Sequence, residues 1–172
     1  TGDFMLPTIT PLSYLSLGVE ASAQGVAAPL STAWGTANLA MLFPFDVTRN
    51  FTVQTLFWFN GGVAAGNVDC GIYDSAFARL LSTGAVGQVG LNILQLVAVT
   101  PTLFVPGRYY LALALDTTTG TIFQSSLGSA VRTRYAGVLQ QNAAFPLPVT
   151  IVPIATTKLG IQLCGASELA LI

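Results

Sequence analysis

The chain has 172 residues, of which 52% are hydrophobic and 8% are charged, and its formal net charge at pH 7 is −1. Soluble domains average about 25% charged residues, so we expect some apolar surface of this chain to contact another protein. Six Lys and Arg residues cannot form the basic stripe that nucleic acid requires. No run of about 18 apolar residues predicts a membrane-spanning helix. We therefore expect neither nucleic acid nor a membrane as a partner.

Residues 1–35 are predicted to form an extended N-terminal arm. They contain two charged side chains, Asp3 and Glu20, three prolines and no sustained periodicity. Disordered tails are poor in apolar residues, whereas this segment is rich in them. We expect a partner or a neighbouring subunit to order it; the alternative is a strand of the same domain. The predicted docking residues are Phe4, Met5, Leu6, Ile9, Leu12, Tyr14, Leu15 and Leu17.

From Asn38 onward, the hydrophobic pattern takes the period of two that is typical of β-strands. The strongest predicted strands are "NLAMLFPF", "NFTVQTLFWFN", "NVDCGIYD", "QVGLNILQLVAV", "RYYLALALD" and "TIFQ", and weaker ones are "AVRTRYAGVL", "FPLPVTIVPI" and "KLGIQLCG". The segment "TPTLFVPG" is interpreted as a turn, and "SAFARLLS" is the only modest helix candidate. This pattern predicts an all-β fold, an antiparallel β-sandwich resembling a jelly roll, over residues 36–172.

The aromatic strand "NFTVQTLFWFN" is predicted to hold Phe51, Phe57 and Phe59 on one face and Trp58 on the other. Packing in the core or at a subunit interface is the favoured interpretation. The alternative is a platform for stacking glycans, for which the candidates are Trp34, Trp58 and Tyr135.

The chain has no histidine, which removes the usual general base and the commonest metal ligand. We predict no enzymatic activity, no cofactor and no metal. Asp46, Asp74 and Asp116 each end a predicted strand, where an Asp side chain caps turn N–H groups. A calcium site is the alternative, although the D-x-[DN]-x-[DN]-G spacing is missing. A hydrolase that uses paired carboxylates, one of them Asp69 or Asp116, is a further alternative.

Cys70 and Cys164 occupy isolated apolar strand positions, "VDCGI" and "IQLCG". The favoured interpretation is two buried free thiols that pack as small hydrophobic side chains. The alternative is a disulfide between them.

About 80 residues carry a recurrent set of short motifs. They are Leu42-Phe43-Pro44-Phe45, Phe51-Thr52-Val53, Gly61-Gly62, Gly71-Ile72-Tyr73-Asp74 and Pro106-Gly107-Arg108-Tyr109-Tyr110-Leu111-Ala112-Leu113. With these motifs the chain resembles the β-sandwich modules of bacteriophage virion proteins, notably tail, fibre and decoration components. The resemblance implies a structural, non-enzymatic module located in the virion, often a homotrimer, in contact with other virion proteins and sometimes with host-surface glycans.

Composition and resemblance together predict a phage virion structural protein that self-associates and docks on the particle through its apolar N-terminal arm. A receptor- or glycan-binding head of a phage tail or fibre is the alternative.

Overall fold

The computed structural model describes residues 30–126 and 129–168. Within them the chain forms strands and one short helix. The elements are β1 Leu30–Ala33, β2 Leu39–Val47, β3 Phe51–Phe59, β4 Asn67–Asp74, β5 Arg79–Ser82, β6 Val86–Gly87, β7 Leu94–Phe104, β8 Gly107–Leu115, β9 Thr121–Ser126, α1 Ala130–Tyr135, β10 Leu139–Gln141, β11 Ile154–Ala155, β12 Gly160–Gln162 and β13 Cys164–Ser167.

The described strands form three antiparallel sheets. The large sheet has the order β11-β10-β2-β8-β4-β5, with β6 also paired to β4, and the two small sheets have the orders β13-β3-β7 and β1-β9-β12. The small sheets are joined by a bridge between Asn60 and Ile122 and by a hydrogen bond from Leu163 N to Phe123 O. They pack against the large sheet around a common core. The predicted all-β sandwich is confirmed.

Alternation along β2, β4 and β8 creates that core. In a strand, successive side chains point to opposite faces, and most large apolar residues of β2 and β8 have odd numbers. The side chains that the large sheet contributes to the core include Leu39, Met41, Phe43, Phe45, Val68, Cys70, Ile72, Leu111, Leu113 and Leu115.

The opposite face of the large sheet includes three alanines among larger residues such as Leu42 and Tyr73. Ala40, Ala112 and Ala114 lie in a second apolar cluster together with Leu147 and Ile151. Because alanine side chains are short, an irregular stretch of chain packs closely on them. This stretch, residues 144–151, is the covering segment, and it gives the large sheet a packed layer on both faces.

An irregularity in β3 changes which aromatic residues face the core. The register between β3 and β7 shifts between Val53 and Thr55, and such a bulge inverts the alternation beyond it. Phe51 therefore joins Trp58 in the core cluster. The predicted separation of Trp58 from Phe57 and Phe59 holds, but the placement of Phe51 with those two phenylalanines was wrong.

Four other sequence predictions differ from the structure. The predicted strand "FPLPVTIVPI" lies mostly in the irregular covering segment, and of its residues only Ile154 belongs to β11. Residues 130–135, predicted as part of a strand, form α1, whereas the helix candidate "SAFARLLS" is a turn followed by β5. The predicted turn after Val99 instead continues β7 as far as Phe104. Pro101 fits there because β7 is an edge strand among the described residues, and an edge strand tolerates a residue without an N–H.

The sandwich begins before residue 36. Leu30–Ala33 pair with β9, and Trp34 lies in the core. Residues 1–29, which include all eight predicted docking residues, lie outside the described residues.

Candidate functional site

Of the aspartates predicted to cap turns, Asp74 does so, whereas Asp116 binds a residue that is distant in sequence. Asp74 Oδ1 accepts hydrogen bonds from the N–H groups of Ala76 and Ala78, both at 2.9 Å. Asp116 accepts from the backbone N–H of Asn67 at 2.8 Å and from its side-chain amide at 2.7 Å. Both carboxylates therefore fasten the ends of β4 to neighbouring chain.

Asp46 has a different role from the predicted turn cap. It lies within β2, directly opposite Arg108 of β8, and the guanidinium donates two hydrogen bonds of 2.8 Å to its carboxylate. These hydrogen bonds lower the pKa of Asp46 and raise the pKa of Arg108. The turn prediction was wrong here because a cross-strand partner, invisible in local sequence, sets the role of this side chain.

Asp69 is a fully buried carboxylate on β4. It accepts hydrogen bonds from Ser82 Oγ at 2.7 Å, Thr83 Oγ1 at 3.3 Å and the N–H of Leu147 at 2.9 Å. Tyr73 assists by donating to the carbonyl of Pro148 at 2.6 Å. Because Leu147 and Pro148 belong to the covering segment, Asp69 and Tyr73 fix that segment to the sheet.

The described residues contain no group of three or more His, Cys, Asp and Glu side chains that could hold a metal ion. Cys70 and Cys164 are both free and buried, as the favoured interpretation predicted. Burial raises the pKa of both thiols, so they remain protonated and act as apolar side chains.

The two indoles proposed for glycan stacking are not on the surface. Trp34 is 3% exposed and Trp58 is 0% exposed. Trp34 Nε1 donates to Leu39 O at 3.0 Å, and Trp58 Nε1 donates to Asn60 Oδ1 at 2.9 Å. Their burial contradicts a stacking platform at these positions. Of the three candidates only Tyr135, at the end of α1, is solvent-exposed, at 88%.

The sheet β13-β3-β7 has an apolar face that points away from the core. Because Trp58 belongs to the core, its neighbours Phe57 and Phe59 point to the other side. Register places Leu96 beside Phe57 and Leu94 beside Phe59. Phe59 also meets Phe123 of β9 edge to face, with ring centroids 5.0 Å apart. We call this surface the outer face and define it by Phe57, Phe59, Leu94, Leu96 and Phe123.

A glycine makes room for one ring of the outer face. Gly165 pairs with Phe57, and a Cβ added at Gly165 would overlap the Phe57 ring. The ring therefore packs over the glycine backbone, which buries it although it lies on the outward side.

The loop that leads into β7 extends this apolar surface. Val89, Leu91 and Ile93 are exposed, as are Leu94 and Leu96. The sequence between Leu80 and Gly107 contains no charged residue. Among the described residues β7 pairs only with β3, so its other edge presents free backbone groups. Natural edge strands commonly carry charges, prolines or covers that prevent association. Within the described residues β7 contains Pro101 but has no charged side chain and no cover.

A buried amide network holds the loop in place. Asn60 Nδ2 donates to Gln95 Oε1 at 2.8 Å and to Val89 O at 2.6 Å. Trp58 Nε1 and Gln88 Nε2 donate to Asn60 Oδ1 at 2.9 and 3.1 Å. A buried network with satisfied members rigidifies the chain around it, so the exposed aliphatic side chains are presented on a fixed backbone. Asn60, Gln88 and Gln95 are far apart in sequence, and no local pattern indicated that they form a network.

A cavity of about 210 Å³ lies beside β1. It is bordered by the end of β1, by β9 and by the chain that leads into β12. Its apolar wall consists of Trp34, Leu39, Met41 and Ile122, and its polar lining includes Gln124, Lys158 and Gln162.

Two polar groups of this cavity are incompletely partnered within the described residues. Lys158 Nζ donates to Thr36 Oγ1 at 3.2 Å but forms no ion pair with a described carboxylate. Gln162 donates to Gln124 Oε1 at 3.1 Å, while its own buried Oε1 has no hydrogen-bond donor among the described residues. The sequence did not indicate that these two residues line one cavity.

Neither a family model, nor a curated protein sequence, nor a solved structure matches the chain. In the part of the chain that the structure describes, no helix is long and apolar enough to cross a membrane.

Proposed function

We propose that this chain is a structural protein of a bacteriophage virion that assembles with copies of itself through the outer face and the open edge of β7. The observation that carries self-association is the uncharged apolar surface formed by these strands and the adjoining loop. The virion assignment is supported by the motifs of the sequence and by the low charge of the whole chain.

Burial of this surface provides the physical driving force. Apolar surface removed from water contributes about 25 cal/mol per Å², and a stable interface hides about 800 Å² on each partner. Residues 80–107 contain no charged side chain, so a contact through this region does not require any charge to be desolvated. Backbone groups on the free edge of β7 add hydrogen bonds across the interface. In a closed ring of copies, every such surface is in contact with a neighbouring copy. The resemblance implies that the ring has three copies.

Charge placed on the outer face tests this proposal. The double variant Leu94→Lys/Leu96→Lys adds two ammonium groups to the centre of the surface. We expect it to sediment at a lower mass than the unmodified chain, with an unchanged circular dichroism spectrum, because both side chains are exposed in the single copy.

The matched control is Val149→Lys/Val152→Lys. It adds the same charge at two exposed aliphatic positions in and beside the covering segment, on the other side of the large sheet. We expect this control to keep the mass of the unmodified chain. Equal masses for both double variants would contradict the assignment of the interface.

Docking on the particle is assigned to the N-terminal arm. Deletion of residues 1–20 in the phage that encodes the chain should abolish its incorporation into particles, as measured by immunoblotting of purified virions. The same deletion should leave the circular dichroism spectrum of the isolated chain unchanged. Normal incorporation of the shortened chain would refute the docking role.

A further inference from the structure

The cavity beside β1 has a lining that suits a polypeptide segment. Lys158 provides a cation without a described carboxylate partner, and the exposed side chain of Leu159 adds an accessible aliphatic group to the lining. A carboxylate side chain complements the cation, and an aliphatic side chain complements the apolar lining. An extended peptide with one acidic residue supplies both.

The charge inventory of the chain indicates which peptide this is. Five of its seven acidic residues have intramolecular partners: Asp46, Asp69, Asp74, Asp116 and Glu168. The two others, Asp3 and Glu20, lie in residues 1–29, which contain no Lys or Arg. Glu20 follows Val19 directly, so an aliphatic side chain and a carboxylate occur side by side. The N-terminal arm and the cavity are therefore complementary in charge and in polarity.

The direction of β1 favours the arm of another copy. The arm joins β1 at Leu30, which pairs with Gln124, whereas Lys158 lies beyond the other end of the strand, next to Gly35. With a rise of about 3.3 Å per residue, the five residues from Leu30 to Gly35 separate these ends by roughly 16 Å. An arm returning to Lys158 of its own chain would have to reverse its direction, and Pro29 favours extended backbone at the residue before it.

We propose that this cavity receives the N-terminal arm of a neighbouring copy, with Glu20 of that arm paired to Lys158 and Val19 against the apolar lining. This inference rests on the proposed self-association and adds a second contact to it. The ten residues from Glu20 to Leu30 span at most about 35 Å when extended, which is enough to cross from one copy to the next.

A charge-reversal experiment tests the pairing. Glu20→Lys and Lys158→Glu each place like charges in the contact, and we expect each to weaken association about tenfold or more in sedimentation equilibrium. Asp3→Lys is the matched control, with the same charge change in the same arm, and should associate like the unmodified chain. Thermal unfolding of the Lys158→Glu chain verifies that it folds; Lys158→Gln, which removes the charge without reversing it, should give an intermediate affinity.

Mixing the two single variants identifies the copy that donates the arm. With exchanged arms, the lysine introduced in one variant meets the glutamate introduced in the other, and the unchanged Glu20 and Lys158 also meet between unlike chains. In a ring of three copies of two kinds, two of the three contacts then join opposite charges. The mixture should therefore regain part of the association that each single variant loses, whereas a chain that carries both changes should regain all of it. If association recovers in a chain that carries both changes but not at all in the mixture, the arm is not exchanged between copies and the inference is overturned.

Two further outcomes separate this inference from the proposed function. If neither single variant weakens an oligomer that Leu94→Lys/Leu96→Lys dissociates, the arm pairing is wrong and the proposed function stands. If the unmodified chain is monomeric, the proposed self-association is wrong, and the arm pairing that rests on it is wrong as well.

Discussion

The large sheet and the sheet β13-β3-β7 both have an apolar face directed away from the shared core. Described residues cover this face on the large sheet but not on the small one. On the large sheet, residues 144–151 cover Ala40, Ala112 and Ala114, and Asp69 fixes that cover through Leu147. On the small sheet, Leu94 and Leu96 are exposed. One face has an intramolecular layer, and no described residue provides such a layer for the other.

The difference shows why composition alone does not locate an interface. β7 and β8 are both aliphatic strands without acidic residues, yet β8 lies between β2 and β4 whereas β7 has one described neighbour. Position in the sheet, and the presence of a cover, decide which apolar strand is core and which is surface. The uncovered face is the one to which we propose that a second copy binds.

Truncation within the cover should give the largest effect on stability. Leu147→Ala removes a buried side chain that packs over Gly71, and deletions of this kind cost about 2–5 kcal/mol. Urea unfolding of a dilute, dissociated sample measures it. Leu96→Ala, on the uncovered face, is the control and should change stability by less than about 0.5 kcal/mol. Similar losses for both variants would remove the distinction between the two faces.

Loss of the buried carboxylate of Asp69 should loosen the covering segment and lower the free energy of unfolding by less than Leu147→Ala does. Asp69→Asn keeps the shape of the side chain but turns an acceptor into a donor that faces the hydroxyl and N–H groups around it. We expect a loss of about 1–3 kcal/mol and faster hydrogen exchange at the Leu147 amide. Exchange at Leu147 that stays as slow as in the unmodified chain would show that Asp69 does not hold the segment.

The exposed ion pair between β2 and β8 should contribute least. Arg108 lowers the pKa of Asp46, so the pair stabilises the fold above the ordinary Asp pKa of about 3.9, and this contribution disappears as pH falls through the lowered pKa. Asp46→Asn should therefore cost at most about 1 kcal/mol at pH 7. The difference from the unmodified chain should vanish at about pH 2 in urea unfolding. A constant difference across this range would exclude the ion pair as its cause.

Much of the sandwich was predictable because hydrophobic alternation is a local signal. Val68, Cys70 and Ile72 face the core as the period of two requires, and Asp74 caps its turn as Asp residues commonly do. Predictions failed where a residue distant in sequence determines the role or the direction of a side chain. The cross-strand Arg108 determines the role of Asp46, and the β3 bulge reverses the side to which Phe51 points.

The candidate site was predictable only in outline. The low charge of the chain indicated that some apolar surface must be covered by a partner, but not which strand would lack a neighbour. The register that aligns Phe57 with Leu96 and the glycine beneath the Phe57 ring depend on pairing between distant segments. The cavity joins Trp34 and Lys158, which are far apart in sequence, and single-strand patterns carry no information about such contacts.

The most direct test of self-association is the mass of the intact chain in sedimentation equilibrium over a wide range of concentrations. The account predicts a multiple of the 17.9 kDa chain mass, with three copies as the expected number. A mass of 17.9 kDa at every concentration would contradict it, because the outer face would then remain in water without a partner.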